Sequence, residues 1–111
     1  MPLTSFSRST ECHNQDKVSM GTIAARDCIR VIELTEQVCA ATLFAFSQAV
    51  EIRVKRGELE ESALTEEIRK LKSNVLDVAG FVSEDRRLDK PLEKIIELIS
   101  KQHFYAEIPV L

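Results

Sequence analysis

The sequence predicts an all-α chain: one very long core helix plus two shorter helices, part of a larger helical-bundle assembly. Three observations lead there. No proline occurs between Pro2 and Pro91, and none of the residues between Gly21 and Gly57 is a glycine, so that stretch holds no helix breaker. With three glycines, three prolines and no tryptophan, the composition suits a helical protein with few turns. The apolar residues recur at helical spacing.

The order along the chain is a polar lead-in loop over 1–18, the long core helix over 19–56 and a C-terminal helical segment over 57–111, together one domain or part of one. At about 1.5 Å of rise per residue, the span 19–56 comes to roughly 57 Å. A compact globule of this length has a diameter of roughly 35 Å, so the helix overshoots any domain the chain could build alone.

Residues 1–10 carry no helical period and read as an extended lead-in. Asp16 or Ser19 can cap the long helix, each with a side-chain oxygen for its free amides. Its first third is amphipathic, with Ile23, Ala24, Cys28, Val31 and Ile32 set among Arg26, Asp27, Arg30 and Glu33. From Val38 to Val50 it is apolar or small on every face, the pattern of a helix buried all round. Ala40, Ala41, Ala45 and Ala49 would let neighbouring helices approach closely. Arg53, Lys55 and Arg56 return the helix to solvent at an end where cations complement the dipole. Three helices of these lengths cannot cover the apolar middle. Other copies or other chains must supply the cover.

An acidic turn, Glu58 to Ser62, leads to a second helix over about 63–79, with Ser62 as its cap and Gly80 as its stop. Its apolar stripe is Leu64, Ile68, Leu71, Val75 and Val78. Residues 81–90 are turn-like. Asp89-Lys90-Pro91 then opens a third helix to about Gln102, with Leu92, Ile95, Ile96, Leu98 and Ile99 as its buried face. The tail 104–111 is apolar enough to want a docking groove.

Net charge is −3 with a pI near 5.4, and the basic residues do not cluster, so no electrostatic footprint for nucleic acid is present. The longest apolar run, Val38 to Phe46, is too short to span a bilayer. Three cysteines without a secretory signal point to a reducing, cytoplasmic setting. Cys28 and Cys39 would lie about 16 Å apart on one helix, far beyond disulfide reach.

One stretch looks like a site. Glu11, His13, Asn14, Gln15 and Asp16 supply acid, base, amide and carboxylate within six residues at a helix N-terminus, where free amides favour an anion. The same residues also read as a cap and a solvated turn. Cys12 and His13 are adjacent, His103 is the only other histidine, and no second ligand pair has zinc spacing, so no metal site is expected. Adjacent side chains diverge, which makes Cys12 and His13 a poor nucleophile–base pair. No glycine-rich phosphate loop is present.

The string from Thr10 to Arg26, Thr-Glu-Cys-His-Asn-Gln-Asp-Lys-Val-Ser-Met-Gly-Thr-Ile-Ala-Ala-Arg, resembles the C-terminal segment of the aromatic amino acid ammonia-lyases. Phenylalanine lyases carry a similar Glu-X-His-Asn-Gln-Asp string, and histidine lyases a Gln-Glu-Asp-His-Val-Ser-Met string, at the mouth of a long core helix. Val31 to Ala40 and Ser47 to Arg53 are similar to that helix, and Asp85-Arg86 resembles a short family motif further on.

The resemblance implies a tetrameric helical assembly in which one subunit completes its neighbours' pockets. It also implies elimination of ammonia from an aromatic amino acid to give an arylacrylate. It makes Glu11, His13, Asn14 and Gln15 substrate-binding residues, Glu11 near the substrate amine and Gln15 at the side-chain end. Gln15 leans toward phenylalanine or tyrosine, whereas Val18-Ser19-Met20-Gly21 is closer to the histidine lyases.

The family's electrophile, a methylidene-imidazolone (MIO), forms from an Ala-Ser-Gly tripeptide, and this sequence has none. The family's catalytic tyrosine and carboxylate-binding arginine also fall N-terminal to the matched region. No catalytic residue is therefore expected in this chain alone. The expected partners are other copies in a tetramer or a missing N-terminal lyase portion, with a split gene, a truncated frame or an isolated fragment all compatible with the start at Met1. The alternative is a non-enzymatic helical module that oligomerises through the apolar middle of its long helix.

Overall fold

A computed structural model describes Ser9, Cys12 and residues 20–101. Among the described residues the architecture is all helical: α1 (Gly21–Lys55), a short 3-10 turn (Glu61–Ala63), α2 (Glu66–Ala79) and α3 (Asp89–Ser100). The chain divides into two compact units, residues 1–34 and 35–111.

In the first unit the described part of α1 has no buried side chain. Ile29, Val31 and Ile32 are 59%, 60% and 54% exposed, and the Arg30–Glu33 ion pair on the same stretch lies in solvent, where such pairs contribute little. The proposed caps Asp16 and Ser19 lie outside the described residues, as does the tail 104–111.

The second unit contains the core. Ala40 and Phe44 of α1, Val75 and Ala79 of α2 and Ile95 of α3 are its buried apolar residues, with Leu43, Leu71, Leu92 and Ile96 packed against them. On α1 the buried positions are Ala40, Phe44 and Ser47, with half-buried Glu51 next at the same helical spacing. Within this chain the middle of α1 thus buries a single stripe. Val38 stays 65% exposed and Phe46 43%, and Ala41, Ala45 and Ala49 are exposed, so the described residues leave most of its apolar surface uncovered.

The end of α1 follows from Gly57, whose φ of 70° is a left-handed conformation that a side chain makes costly. Gly57 N–H donates to Val54 O and Glu58 N–H donates to Arg53 O, each at 3.0 Å. This is the paired Schellman closure of a helix C-terminus.

The second helix starts later than its periodicity suggests. Residues 61–63 form the 3-10 turn, and the cap is Thr65, whose Oγ1 accepts from the Ile68 amide at 3.4 Å. Ser62 instead donates to Glu60 at 3.1 Å. A threonine in extended conformation directly ahead of Glu66 and Glu67 satisfies a free amide and places two carboxylates in the first turn, which Ser62 cannot do from inside another turn.

Gly80, at φ 72°, ends α2. Arg86 donates to the carbonyls of Ala79 and Gly80, closing the orphaned helix end from the following loop. Gln48 of α1 holds that loop at its other side: its Nε2 donates to Val82 O at 2.8 Å and its Oε1 accepts from Val82 N at 3.1 Å. The third helix ends at Ser100, two residues short of the expected end, and buries Ile95.

Two substitutions separate backbone from packing. Nothing lies within 4 Å of a Cβ built on Gly57, so Gly57→Ala should cost about 1 kcal/mol from the left-handed backbone alone. Ser47 is fully buried, and its hydroxyl has no hydrogen-bond partner among the described residues. Ser47→Ala should therefore leave stability unchanged or raise it by about 1 kcal/mol, since an unsatisfied buried hydroxyl is removed. Urea denaturation of each variant measures both.

Candidate functional site

Cys12, which the sequence does not count among the site residues, is described between Glu11 and His13, and it is exposed. Glu11, His13, Asn14 and Gln15 lie outside the described residues, so their expected substrate-binding role has no geometry here. Cys28 and Cys39 are free and exposed. Among the described residues no group of three or more histidine, cysteine or acidic side chains is placed to hold a metal ion, and no helix is long and apolar enough to cross a membrane.

The structure displays a different cluster, wholly within the second unit. An open groove of about 660 Å³ is lined by residues of α1, the 3-10 turn, α2 and the loop beyond it, Lys72 among them. Lys72 is 6% exposed, and its ammonium donates to Glu51 Oε2 at 2.8 Å and to Glu61 Oε1 at 2.9 Å. A buried ammonium is costly unless charges and acceptors meet it, and here two carboxylates from two other elements do.

The electrostatics run as the geometry requires. The hydrogen bond from Lys72 holds the Glu51 carboxyl below its ordinary range, against the opposing effect of burial, and Lys55 adds to the lowering. The hydrogen bonds to Glu51 and then to Glu61 raise the Lys72 ammonium above its ordinary value. Lys72 is therefore a fixed cation at neutral pH. It can orient a carboxylate, but it cannot act as a base.

Glu51 divides its two oxygens. Oε2 meets Lys72, and Oε1 lies 3.5 Å from Lys55 Nζ. The Lys55 ammonium in turn stands 3.5 Å from the centre of the Phe81 ring, a cation–π contact. At the groove's outer side Arg69 donates to Leu64 O at 3.0 Å and Lys70 faces Glu66 at 3.5 Å.

Sequence reasoning passed over Lys72 because it assigned the inward face of α2 to Leu71, Val75 and Val78. The fully inward positions are Lys72, Val75 and Ala79, one residue further round. The signal was present: a lysine spaced 4 from Ile68 and 3 from Val75 stands on an apolar stripe, where a charge needs a partner.

The sequence profile of the aromatic amino acid lyase family matches residues 1–73. A histidine ammonia-lyase of Caenorhabditis elegans is 30% identical over 99 residues, 89% of this chain and 14% of that protein. One from Natranaerobius thermophilus is 32% identical over 107 residues, 96% of this chain and 20% of that protein. One from Clostridium tetani is 32% identical over 99 residues, 89% of this chain and 19% of that protein. The chain thus spans about a fifth or less of the length of these relatives. No solved structure matches.

Lys72→Met should destabilise the chain by about 2–3 kcal/mol, because two carboxylates lose the cation that holds them. Adding Glu51→Leu to that variant should recover most of the loss. Glu51, lowered by folding, stabilises above the unfolded carboxylate range and loses that contribution as acid titrates it in the folded state. Lys72, raised by folding, stabilises up to the ordinary lysine range and loses its contribution only in stronger alkali. The stability difference between the parent and Lys72→Met should therefore be flat through neutral pH and shrink at both extremes, as urea melts across pH would measure.

Proposed function

The chain belongs to the aromatic amino acid lyase family, and from that membership we propose that it serves as the C-terminal part of an ammonia-lyase that converts an aromatic amino acid to an arylacrylate. The observation that carries this reading is the family match over residues 1–73, which takes in the polar lead-in and all of α1. Histidine is the first substrate to test, since the relatives above are histidine ammonia-lyases. Phenylalanine and tyrosine come next, because Gln15 resembles the phenylalanine lyases at that position.

The chain alone is inactive on this reading. Ammonia elimination needs the amino group turned into a leaving group and a weakly acidic carbon deprotonated. With no Ala-Ser-Gly in the sequence, these residues do not fit the MIO group that activates the amine in the family. That group belongs to a lyase portion that completes the assembly, in a tetramer where helices such as α1 form the shared core. The contribution of this chain is then Glu11, His13, Asn14 and Gln15 at the substrate pocket. The exposed Val38 and Phe46 also support a second reading, a non-enzymatic helical interaction module.

Incubation of the purified chain with histidine, phenylalanine or tyrosine should yield no ultraviolet-absorbing arylacrylate. Co-expression with the Ala-Ser-Gly-bearing portion of a histidine ammonia-lyase, ending ahead of the matched region, should restore it. Turnover by the chain alone, with contamination excluded, would show the missing parts to be unnecessary. Failure of the two portions to associate or turn over would favour the interaction module.

In the restored enzyme Gln15→Glu should raise the ratio of kcat/KM for histidine over phenylalanine by about tenfold or more, since an unpaired carboxylate beside a phenyl ring is costly. An unchanged ratio removes Gln15 from the pocket. A lowered melting temperature with equal loss on both substrates returns the cluster to a helix cap.

A further inference from the structure

We propose that Glu51 couples the two rims of the groove, so that the 3-10 turn and the loop at Phe81–Val82 are held or released together through one carboxylate. The geometry is a continuous chain of charge contacts. Glu61 of the 3-10 turn meets Lys72 of α2 at 2.9 Å, and Lys72 meets Glu51 Oε2 at 2.8 Å. Glu51 Oε1 meets Lys55, and Lys55 sits over Phe81. The ends of this chain, Glu61 in the 3-10 turn and Phe81 in the loop after α2, are 20 residues apart in sequence, and both line the groove. Glu51 stands at the middle of the relay: its Oε2 meets the lysine that holds the turn and its Oε1 the lysine that sits over the loop's ring.

The position makes Glu51 a switch as well as a brace. The charged groups that meet it are Lys55 from its own helix and Lys72 from α2, with Glu61 facing Lys72 from the turn. Glu66, Arg69, Lys70 and Asp77 of α2 line the same groove, and Phe81 brings no charge from the loop. Neutralising Glu51 leaves Lys72 with a single, largely exposed carboxylate. It also removes the anion that steadies Lys55 above the ring. Both rims then loosen from one event, the loop keeping the Gln48 hydrogen bonds to Val82 and the Arg86 bond to Ala79 O as its remaining ties. An amine or guanidinium entering the groove would compete for the same carboxylate and have the same effect. This device is independent of the lyase reading, since it lies in residues 51–82 and needs no catalytic partner.

Native-state amide hydrogen exchange on the full chain tests it. Ala63 and Leu64 report the turn through their amides to Glu60 and Glu61, and Val82 reports the loop through its amide to Gln48. In Glu51→Gln both sets should exchange faster by roughly tenfold or more, as expected when hydrogen bonds between charged groups are lost, each measured relative to amides around Ile95. Lys55→Met should accelerate Val82 alone, and Glu61→Gln should accelerate the turn alone. Glu51→Asp, which keeps the charge but shortens its reach, should accelerate both sets by a smaller factor, and it serves where Glu51→Gln is too unstable to study. Acceleration of only one rim in Glu51→Gln or in Glu51→Asp would overturn the proposal.

Discussion

A lysine ammonium stripped of water has to be neutralised where it stands, and in the second unit that requirement ties three elements together. Lys72 occupies a position on α2 that periodicity would give to an apolar residue, between the half-buried Ile68 and the buried Val75. Its charge is met by Glu51 from α1 and Glu61 from the 3-10 turn. The inward stripe of α1 runs Ala40, Phe44, Ser47 and then Glu51, so the apolar interface of α1 ends in an anion and that of α2 begins with a cation. Such a pair adds less net stability than an apolar contact of equal volume, but it makes other registers of the two helices expensive, because each would leave a charge buried alone.

The rest of the second unit is fastened by polar groups at the places where helices end. Gly57 closes α1 by backbone hydrogen bonds, while Arg86 closes α2 from the loop that follows it. Gln48 reaches from α1 to both backbone groups of Val82, an arrangement that only a side-chain amide, with a donor and an acceptor side by side, can make. With so few buried apolar residues, these contacts decide how the loop of residues 81–88 lies. Asp85-Arg86, read in the sequence as a family resemblance, acquires a physical reason here in the helix-closing role of Arg86.

The apolar surface left on α1 is consistent with family membership. A chain spanning a fifth or less of its relatives' length cannot be expected to cover every surface that a whole lyase buries. Val38 and Phe46 in the second unit, and Ile29, Val31 and Ile32 in the first, are among the exposed apolar side chains of this helix. Thr42 in the same helix has turned its hydroxyl to Val38 O at 2.8 Å, so it presents a methyl group and no unsatisfied donor to whatever packs there.

The sequence by itself determined the helices, their stops and the family. Helix-forming runs, a glycine at each sharp end and a string as specific as Thr10 to Arg26 are local properties that need no partner to be read. Gly57 and Gly80 ended α1 and α2 where expected, and the start of α2 moved because Thr65 offers a better cap than Ser62. Only the tertiary structure decided which face of α2 is innermost. Successive helical residues are turned by about 100°, so stripes through Leu71 and Val78 or through Lys72 and Ala79 differ by one position, and the partner helix makes the choice. The groove and its charge relay were hidden for the same reason: Glu51, Glu61, Lys72 and Phe81 come from four elements, and nothing local to any of them records the other three.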